Sequence, residues 1–143
     1  MVQLDLPLKR CLMNDSSQND NLQSALKLAS MGFRIFPLHG IVDGNCTCGG
    51  KGNCTPGKHP VIKGWGQSAT IDPVQITKWF DNKPFNIGLV TGKSSGIWVL
   101  DVDNDKGGET TLDELIEHHG MLTETLRVKT GNGIHYYFKY PQE

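Results

Sequence analysis

Three segments of the chain carry apolar residues at helical spacing, and the residues around them are typical helix boundaries. Asp72 before Pro73 is typical of an N-cap followed by the first helical position. Gly32 and Gly120 each follow the last apolar residues of a segment, where glycine commonly ends a helix. The sequence therefore predicts three helices, which cover residues 19–33, 73–82 and 109–120.

Other segments are short, rich in β-branched and aromatic residues, and bounded by glycine or proline, a pattern typical of strands. Residues 125–140 are predicted to form a hairpin whose turn is centred on Gly131-Asn132-Gly133. Further strands are predicted over residues 33–38, 85–92 and 96–103. The order of these elements indicates an α+β domain in which helices flank a mostly antiparallel sheet.

Length and composition favour one domain, because 143 residues with 37% hydrophobic content suffice for a single core. We assign this domain to residues 18–143 and the polar residues 1–17 to a flexible N-terminal arm. The sequence has no apolar run of the roughly 18 residues that membrane crossing needs, and its N-terminus lacks a signal-peptide pattern. We therefore expect a cytoplasmic protein without a membrane partner.

The formal net charge of -1 hides a separation of charge along the chain. Residues 44–71 contain no acid and carry Lys51, Lys58 and Lys63. Residues 101–117 contain one base, Lys106, and the acids Asp101, Asp103, Asp105, Glu109, Asp113, Glu114 and Glu117. Such runs are commonly solvated surfaces, but each of these adjoins residues that carry chemistry.

The strand predicted over 96–103 ends in two aspartates, Asp101 and Asp103. Because they are two residues apart, their side chains project from the same face of the strand. Paired carboxylates suit hard cations such as Mg²⁺ or Mn²⁺, and the two ions of a phosphoryl-transfer site lie about 3.5–4 Å apart. The alternative is a strand end in solvent, where aspartates begin a turn with Asn104 and Gly107. The pattern alone leaves both interpretations open.

A calcium loop is a further alternative, because residues 101–107 resemble the first ligands of an EF-hand. An EF-hand needs glycine at its sixth position and glutamate at its twelfth, where this chain has Lys106 and Leu112. It also needs a preceding helix, and the preceding segment is predicted to be a strand. These differences disfavour calcium.

The second strand of the predicted hairpin places polar residues on one face, where His135, Tyr137 and Lys139 alternate with aromatic residues. A glycine-rich turn precedes His135 and permits close backbone approach. The imidazole can donate hydrogen bonds, and Arg127, Lys129 and Lys139 are cations nearby in sequence. These features predict a triphosphate contact, although a lone histidine in a strand is usually structural.

The loop over residues 44–60 carries the ligand set of a zinc site. Its Cys-x-Cys-x5-Cys-x4-His pattern combines three thiols and an imidazole with several glycines that permit sharp turns. The predicted ligands of one structural zinc ion are Cys46, Cys48, Cys54 and His59. Free or partly oxidised thiols in a flexible loop are the alternative, and Cys11 is expected to stay free.

The motifs in their order resemble a known family. Cys-x-Cys, GKHP, KGW, NIGLVTG, a strand ending in DVD, and TGNGIHYYF together are similar to the N-terminal prim-pol domain of bifunctional DNA primase/polymerases. This domain belongs to the archaeo-eukaryotic primase superfamily of phage, plasmid and prophage replication proteins. The resemblance covers residues 22 to 141 and implies a primase/polymerase-like fold with a zinc-binding loop insertion. It also implies template-directed nucleotidyl transfer with two divalent metals.

The resemblance implies a role for each motif. Asp101 and Asp103 would be catalytic and hold Mg²⁺ or Mn²⁺, and His135 would contact the phosphates of the incoming nucleotide. Arg127 and Lys139 would assist His135 in nucleotide binding. The structural zinc that some members hold would be bound by Cys46, Cys48, Cys54 and His59.

The resemblance also implies partners. These are nucleoside triphosphates, a single-stranded DNA template, and a C-terminal helicase domain or replisome proteins. The basic loop that contains Lys51, Lys58 and Lys63 would contact the template together with Trp65, although tryptophan is more often buried.

The family's third motif, a further metal-binding aspartate on a later strand, has no counterpart before Glu143. We therefore expect a C-terminally incomplete domain, as an excised fragment or a natural short form. In-line displacement depends on metals held in fixed geometry, so we expect the isolated chain to polymerise very slowly or not at all.

Two alternative functions remain. One is a non-catalytic, zinc-stabilised module for nucleic-acid binding or replisome interaction, and the other is a metal-dependent nuclease that uses the same aspartates. Titration with a divalent metal distinguishes the first from the catalytic interpretation, which alone needs an ion at Asp101 and Asp103.

Overall fold

The computed structural model describes residues 18–50, 52 and 54–141, so the arm predicted over 1–17 and Lys51 lie outside the described residues. The helices are α1 (Gln18–Ser30), α2 (Trp65–Ser68), α3 (Pro73–Phe80) and α4 (Gly108–His119), with a 3-10 turn at Asn104–Lys106. The strands are β1 (Ile35–Leu38), β2 (Ile41–Val42), β3 (Asn45–Cys46), β4 (Asn86–Leu89), β5 (Ile97–Asp103), β6 (Leu126–Lys129) and β7 (Gly133–Lys139). The predicted α+β class is confirmed.

The strands form three small sheets. β1 pairs with β4, β2 pairs with β3, and β7 lies between β5 and β6. Every pairing among the described strands is antiparallel, as the sequence predicts. A bridge between Gly92 and Ile97 joins the turn after β4 to the start of β5. The three-stranded sheet carries both aspartates and the histidine of the predicted site.

The main core lies where α1 and α3 pack on β1 and β4. Ile35, Ile76 and Phe80 are fully buried there, and Leu22 and Ala25 of α1 pack against them. Burial of one large apolar side chain is worth about 1.5–3 kcal/mol. This cluster therefore stabilises the part of the domain to which the cysteine loop is attached.

Sequence signals for the helix ends agree with the structure. The side chain of Asp72 accepts a hydrogen bond of 3.0 Å from the backbone N–H of Val74, and Pro73 begins α3. Gly120 follows α4 with a positive φ of 89°, which glycine adopts without strain. Among the described residues, no helix is long and apolar enough to cross a membrane.

The short helix α2 and the β2–β3 hairpin were not predicted from the sequence. The Arg34 guanidinium donates hydrogen bonds to the carbonyls of Gln67 and Ala69, so α2 is held by tertiary contacts. Trp65 at its start stacks on Phe36, with ring centroids 4.7 Å apart. Elements this short depend on such contacts more than on a local pattern.

Candidate metal and nucleotide site

The pairing of β5 with β7 brings the predicted carboxylates and the histidine together. Asp101 pairs directly with His135, and Asp103 pairs with Gly133. Directly paired residues of antiparallel strands share a face, so both carboxylates and the imidazole project from the same side of the sheet. The Oδ1 of Asp101 lies 3.2 Å from the Nε2 of His135. Both side chains remain accessible to a ligand, with 56% and 34% exposure.

Close backbone approach at Gly133 makes this pairing possible. A Cβ atom at residue 133 would lie 1.9 Å from the carbonyl oxygen of Val102, a distance that only glycine avoids. At Gly131, in the same turn, no described atom lies within 4 Å of the corresponding position. The glycine at 133 is therefore a requirement of the site, whereas the one at 131 belongs to the turn.

The turn after β5 brings Lys106 into contact with Asp103. Gly107 has a left-handed φ of 72°, and a Cβ atom on Gly108 would lie 2.7 Å from the carbonyl oxygen of Asp103. Within this tight turn, the Nζ of Lys106 lies 2.6 Å from the Oδ2 of Asp103. The hydrogen bond from Lys106 lowers the pKa of Asp103, and in return the carboxylate raises the pKa of Lys106.

Other charges act on the same carboxylate. After Lys106, the charges of Lys58 and His135 also lower the pKa of Asp103. Burial raises the pKa of Tyr137, and the charge of Asp101 adds to that effect. The positive charges around Asp103 thus favour its ionised form.

The two other cations predicted for nucleotide binding do not adjoin His135. Arg127 pairs with Tyr136, so it projects from the opposite face of the sheet. Lys139 shares the face of His135 but lies four residues further along β7, roughly 13 Å away at strand spacing. The assignment of both residues to the nucleotide stays a prediction. Lys139 requires a ligand that extends along the face beyond His135, and Arg127 requires one that extends around the edge strand β6.

An open cleft of about 510 Å³ lies beside the β6–β7 turn. Arg127 and Lys129 line it together with Glu109 of α4. The rest of the lining consists of Asn104, Thr130, Gly131, Asn132, Gly133 and Ile134. The cleft therefore lies on the α4 side of the turn, and its lining carries two cations and one acid.

The four predicted zinc ligands converge. One ligand atom from each of Cys46, Cys48, Cys54 and His59 lies within 4.8 Å of all the others. The Sγ of Cys48 is 3.3 Å from that of Cys54, and the Nε2 of His59 is 3.4 Å from the Sγ of Cys46. Tetrahedral zinc with bonds of about 2.0–2.3 Å has ligand separations of roughly 3.3–3.8 Å. The cluster is compatible with a structural zinc ion.

Hydrogen bonds attach this loop to the first sheet. The backbone N–H of His39 donates to the carbonyl of His59 at 2.9 Å, and the amide of Asn86 donates to the carbonyl of Gly57 at 3.1 Å. The ring of His39 also packs on the ring of His59, with centroids 4.6 Å apart. The ligand end of the loop is therefore positioned by the core and not by the metal alone.

The thiols differ in acidity. Hydrogen bonds from the backbone of Cys48 and Gly57 lower the pKa of Cys46 to about 6. The hydrogen bond shared with Cys48 and the burial of the thiol raise the pKa of Cys54 to about 12. A zinc site needs thiolates, and the loop already stabilises one of them before any metal binds.

A sequence model of the family described as "Bifunctional DNA primase/polymerase, N-terminal" matches residues 25–143. The chain belongs to this family. No curated protein and no solved structure is similar enough to count as a match. The family is one of DNA primases and polymerases that transfer nucleotidyl groups in DNA replication, so its members bind nucleotides and a DNA template.

Sequence reasoning missed the contacts of three residues near the candidate sites. Lys106 enters it as the one base in an acidic run and as a mismatch to the EF-hand, and Lys58 as part of the basic loop. His39 is not singled out there, although it packs on His59 of the cysteine cluster. The three-residue spacing of Asp103 and Lys106 at a strand end is the local pattern that could have directed attention to Lys106.

Proposed function

We propose that this domain carries out template-directed nucleotidyl transfer in DNA replication of the phage or plasmid type. In this proposal Asp101 and Asp103 hold Mg²⁺ or Mn²⁺, and His135 binds the triphosphate of the incoming nucleotide. The observation that carries the proposal is the direct pairing of Asp101 with His135, at 3.2 Å, on an accessible face of the sheet. Chemistry of this family requires a metal-binding carboxylate and a phosphate-binding group side by side.

Each residue has a defined task in this proposal. The carboxylates of Asp101 and Asp103 supply oxygen ligands, and water completes the six positions that hard cations favour. Divalent ions held there would lower the pKa of the primer 3'-hydroxyl and neutralise the charge of the leaving pyrophosphate. The imidazole of His135 exchanges its contact with Asp101 for a hydrogen bond to a phosphate oxygen. Lys139 remains a proposed nucleotide ligand of longer reach, and Arg127, on the opposite face, remains proposed for a nucleotide that extends around the edge strand β6.

We assign the template to the surface formed by Lys58, Lys63 and Trp65. Both lysines are exposed, and the indole of Trp65 is 44% exposed although it stacks on Phe36. Base stacking on an aromatic ring beside cations is the usual mode of single-stranded DNA binding. Zinc held by the Cys-x-Cys loop is structural in this proposal, and a helicase domain or replisome proteins are the proposed protein partners.

The test measures metal-dependent nucleotide binding. In a titration, the concentration of free Mn²⁺ is measured by electron paramagnetic resonance. The binding of dATP is measured with a fluorescent analogue at increasing concentrations of Mn²⁺. The variants Asp101→Asn and Asp103→Asn should each weaken Mn²⁺ binding at least tenfold and remove Mn²⁺-dependent dATP binding, since each removes a charged ligand. Asp113→Asn, an exposed acid of α4, is the matched control and should behave like the wild type.

The same experiment can refute the proposal. Mn²⁺ affinity that is equal in the wild type and in both strand variants would show that these aspartates are not metal ligands. Single-stranded DNA binding that persists without any Mn²⁺-dependent nucleotide binding would favour the non-catalytic module.

A further inference from the structure

Lys106 is the cation in direct contact with the second aspartate. Its Nζ lies 2.6 Å from the Oδ2 of Asp103, a distance typical of a charge-assisted hydrogen bond. The 3-10 turn at Asn104–Lys106 holds the two residues in this relation, since side chains three residues apart lie on the same side of such a turn. The ammonium thus occupies one oxygen of a carboxylate that is proposed to bind a hard cation.

The ion pair between Lys106 and Asp103 can be displaced by a divalent ion. The side chain of Lys106 is 74% exposed and that of Asp103 is 31% exposed, so water screens their attraction. A divalent ion that also contacts Asp101 has twice the charge and two carboxylates to bind. Such an ion would displace the ammonium from Asp103 at little cost.

The displaced ammonium would remain at the site, because its backbone belongs to the turn that follows Asp103. A metal-bound triphosphate brings phosphate oxygens to the same place, and lysine is a common phosphate ligand in proteins. The charge of Lys58, on the cysteine loop, also lowers the pKa of Asp103. Because Lys106 lies 2.6 Å from this carboxylate, a phosphate oxygen bound to an ion at Asp103 would be within reach of its ammonium.

We propose that Lys106 holds Asp103 until a divalent metal binds and then contacts the phosphates of the metal-bound nucleoside triphosphate. This inference rests on the proposed metal and nucleotide site. It gives Lys106 two successive partners. These are the carboxylate of Asp103 in the metal-free protein and the triphosphate once metal and nucleotide are bound.

The experiment compares Lys106→Met with the wild type in two measurements. In the absence of nucleotide, Lys106→Met should bind Mn²⁺ about two- to fivefold more tightly, the range expected when an exposed ion pair no longer competes. At saturating Mn²⁺, its preference for dATP over dAMP should fall roughly tenfold, because a charge-assisted phosphate contact is lost. Lys106→Arg keeps the charge and should retain most of the preference.

Lys93→Met is the matched control, since Lys93 is an exposed lysine of the turn before β5. It should equal the wild type in both measurements. An unchanged Mn²⁺ affinity in Lys106→Met would overturn the competition with metal, and an unchanged preference for dATP would overturn the phosphate contact. Asp103→Asn separates these outcomes from failure of the underlying site, because Mn²⁺ affinity unaffected by that variant would refute the proposed function itself.

Discussion

Asp101 and His135 face each other across the pairing of β5 with β7, with 3.2 Å between Oδ1 and Nε2. Both strands are seven residues long and are paired along their whole length, so backbone register sets this distance. Side chains on paired strands are held more precisely than side chains on loops. The relation between the carboxylate and the imidazole therefore exists before a metal or nucleotide binds.

Replacement of His135 should separate nucleotide binding from metal binding. In His135→Ala we expect dATP affinity at saturating Mn²⁺ to fall roughly tenfold, because one charge-assisted phosphate contact is lost. Mn²⁺ affinity without nucleotide should change less than twofold, as both carboxylates remain. His118→Ala, on the exposed face of α4, is the control. A larger effect on Mn²⁺ than on dATP would make His135 a metal ligand.

Replacement of Cys54 should remove zinc without unfolding the core. We expect elemental analysis to give one zinc ion per chain for the wild type and much less for Cys54→Ser, because oxygen is a poor substitute for thiolate. Its melting temperature should fall by roughly 5 °C, since the buried cluster around Phe80 does not depend on the loop. Thr55→Val, next in the chain, should keep its zinc. Absence of zinc in wild-type protein purified without chelator would refute the site.

The difference in thiol acidity predicts an order of alkylation in zinc-free protein. A thiol reacts as its thiolate, so a pKa of about 6 leaves Cys46 mostly ionised at neutral pH. The pKa of about 12 keeps Cys54 protonated there. As the pH rises from 5 to about 7, iodoacetamide should therefore modify Cys46 well before Cys54. Peptide mass spectrometry at several pH values gives the order, and equal rates for both thiols would contradict it.

Much of this arrangement follows from local sequence pattern. An apolar run at the start of 96–103 and alternation along 133–139 predict strands, and a glycine-rich turn predicts that the second strand belongs to a hairpin. Zinc ligands within one glycine-rich loop can meet without any knowledge of the rest of the fold, so their convergence was also predictable. These predictions succeed because each depends on residues that are close in sequence.

The remainder depends on relations that a single segment does not contain. Closeness in sequence suggested Arg127 as a neighbour of His135, but the register pairs it with Tyr136 and turns it to the other face. The effect of the Lys58 charge on Asp103 depends on where the fold places a loop that is distant in sequence. Lys106, by contrast, reaches Asp103 within one segment, because the 3-10 turn at Asn104–Lys106 brings residues three apart together.

The contrast between two glycines of one turn tests whether strand register builds the site. Gly133→Ala places a methyl group 1.9 Å from the carbonyl oxygen of Val102, so β5 and β7 must separate where Asp103 lies. We expect a loss of stability of about 1–3 kcal/mol in urea unfolding, together with weaker Mn²⁺ binding. Gly131→Ala has open space around the added methyl and lacks a positive φ, so it should match the wild type in both. Equal behaviour of the two variants would show that Gly133 is not needed for the close approach of the strands, and the site would then depend on contacts other than register.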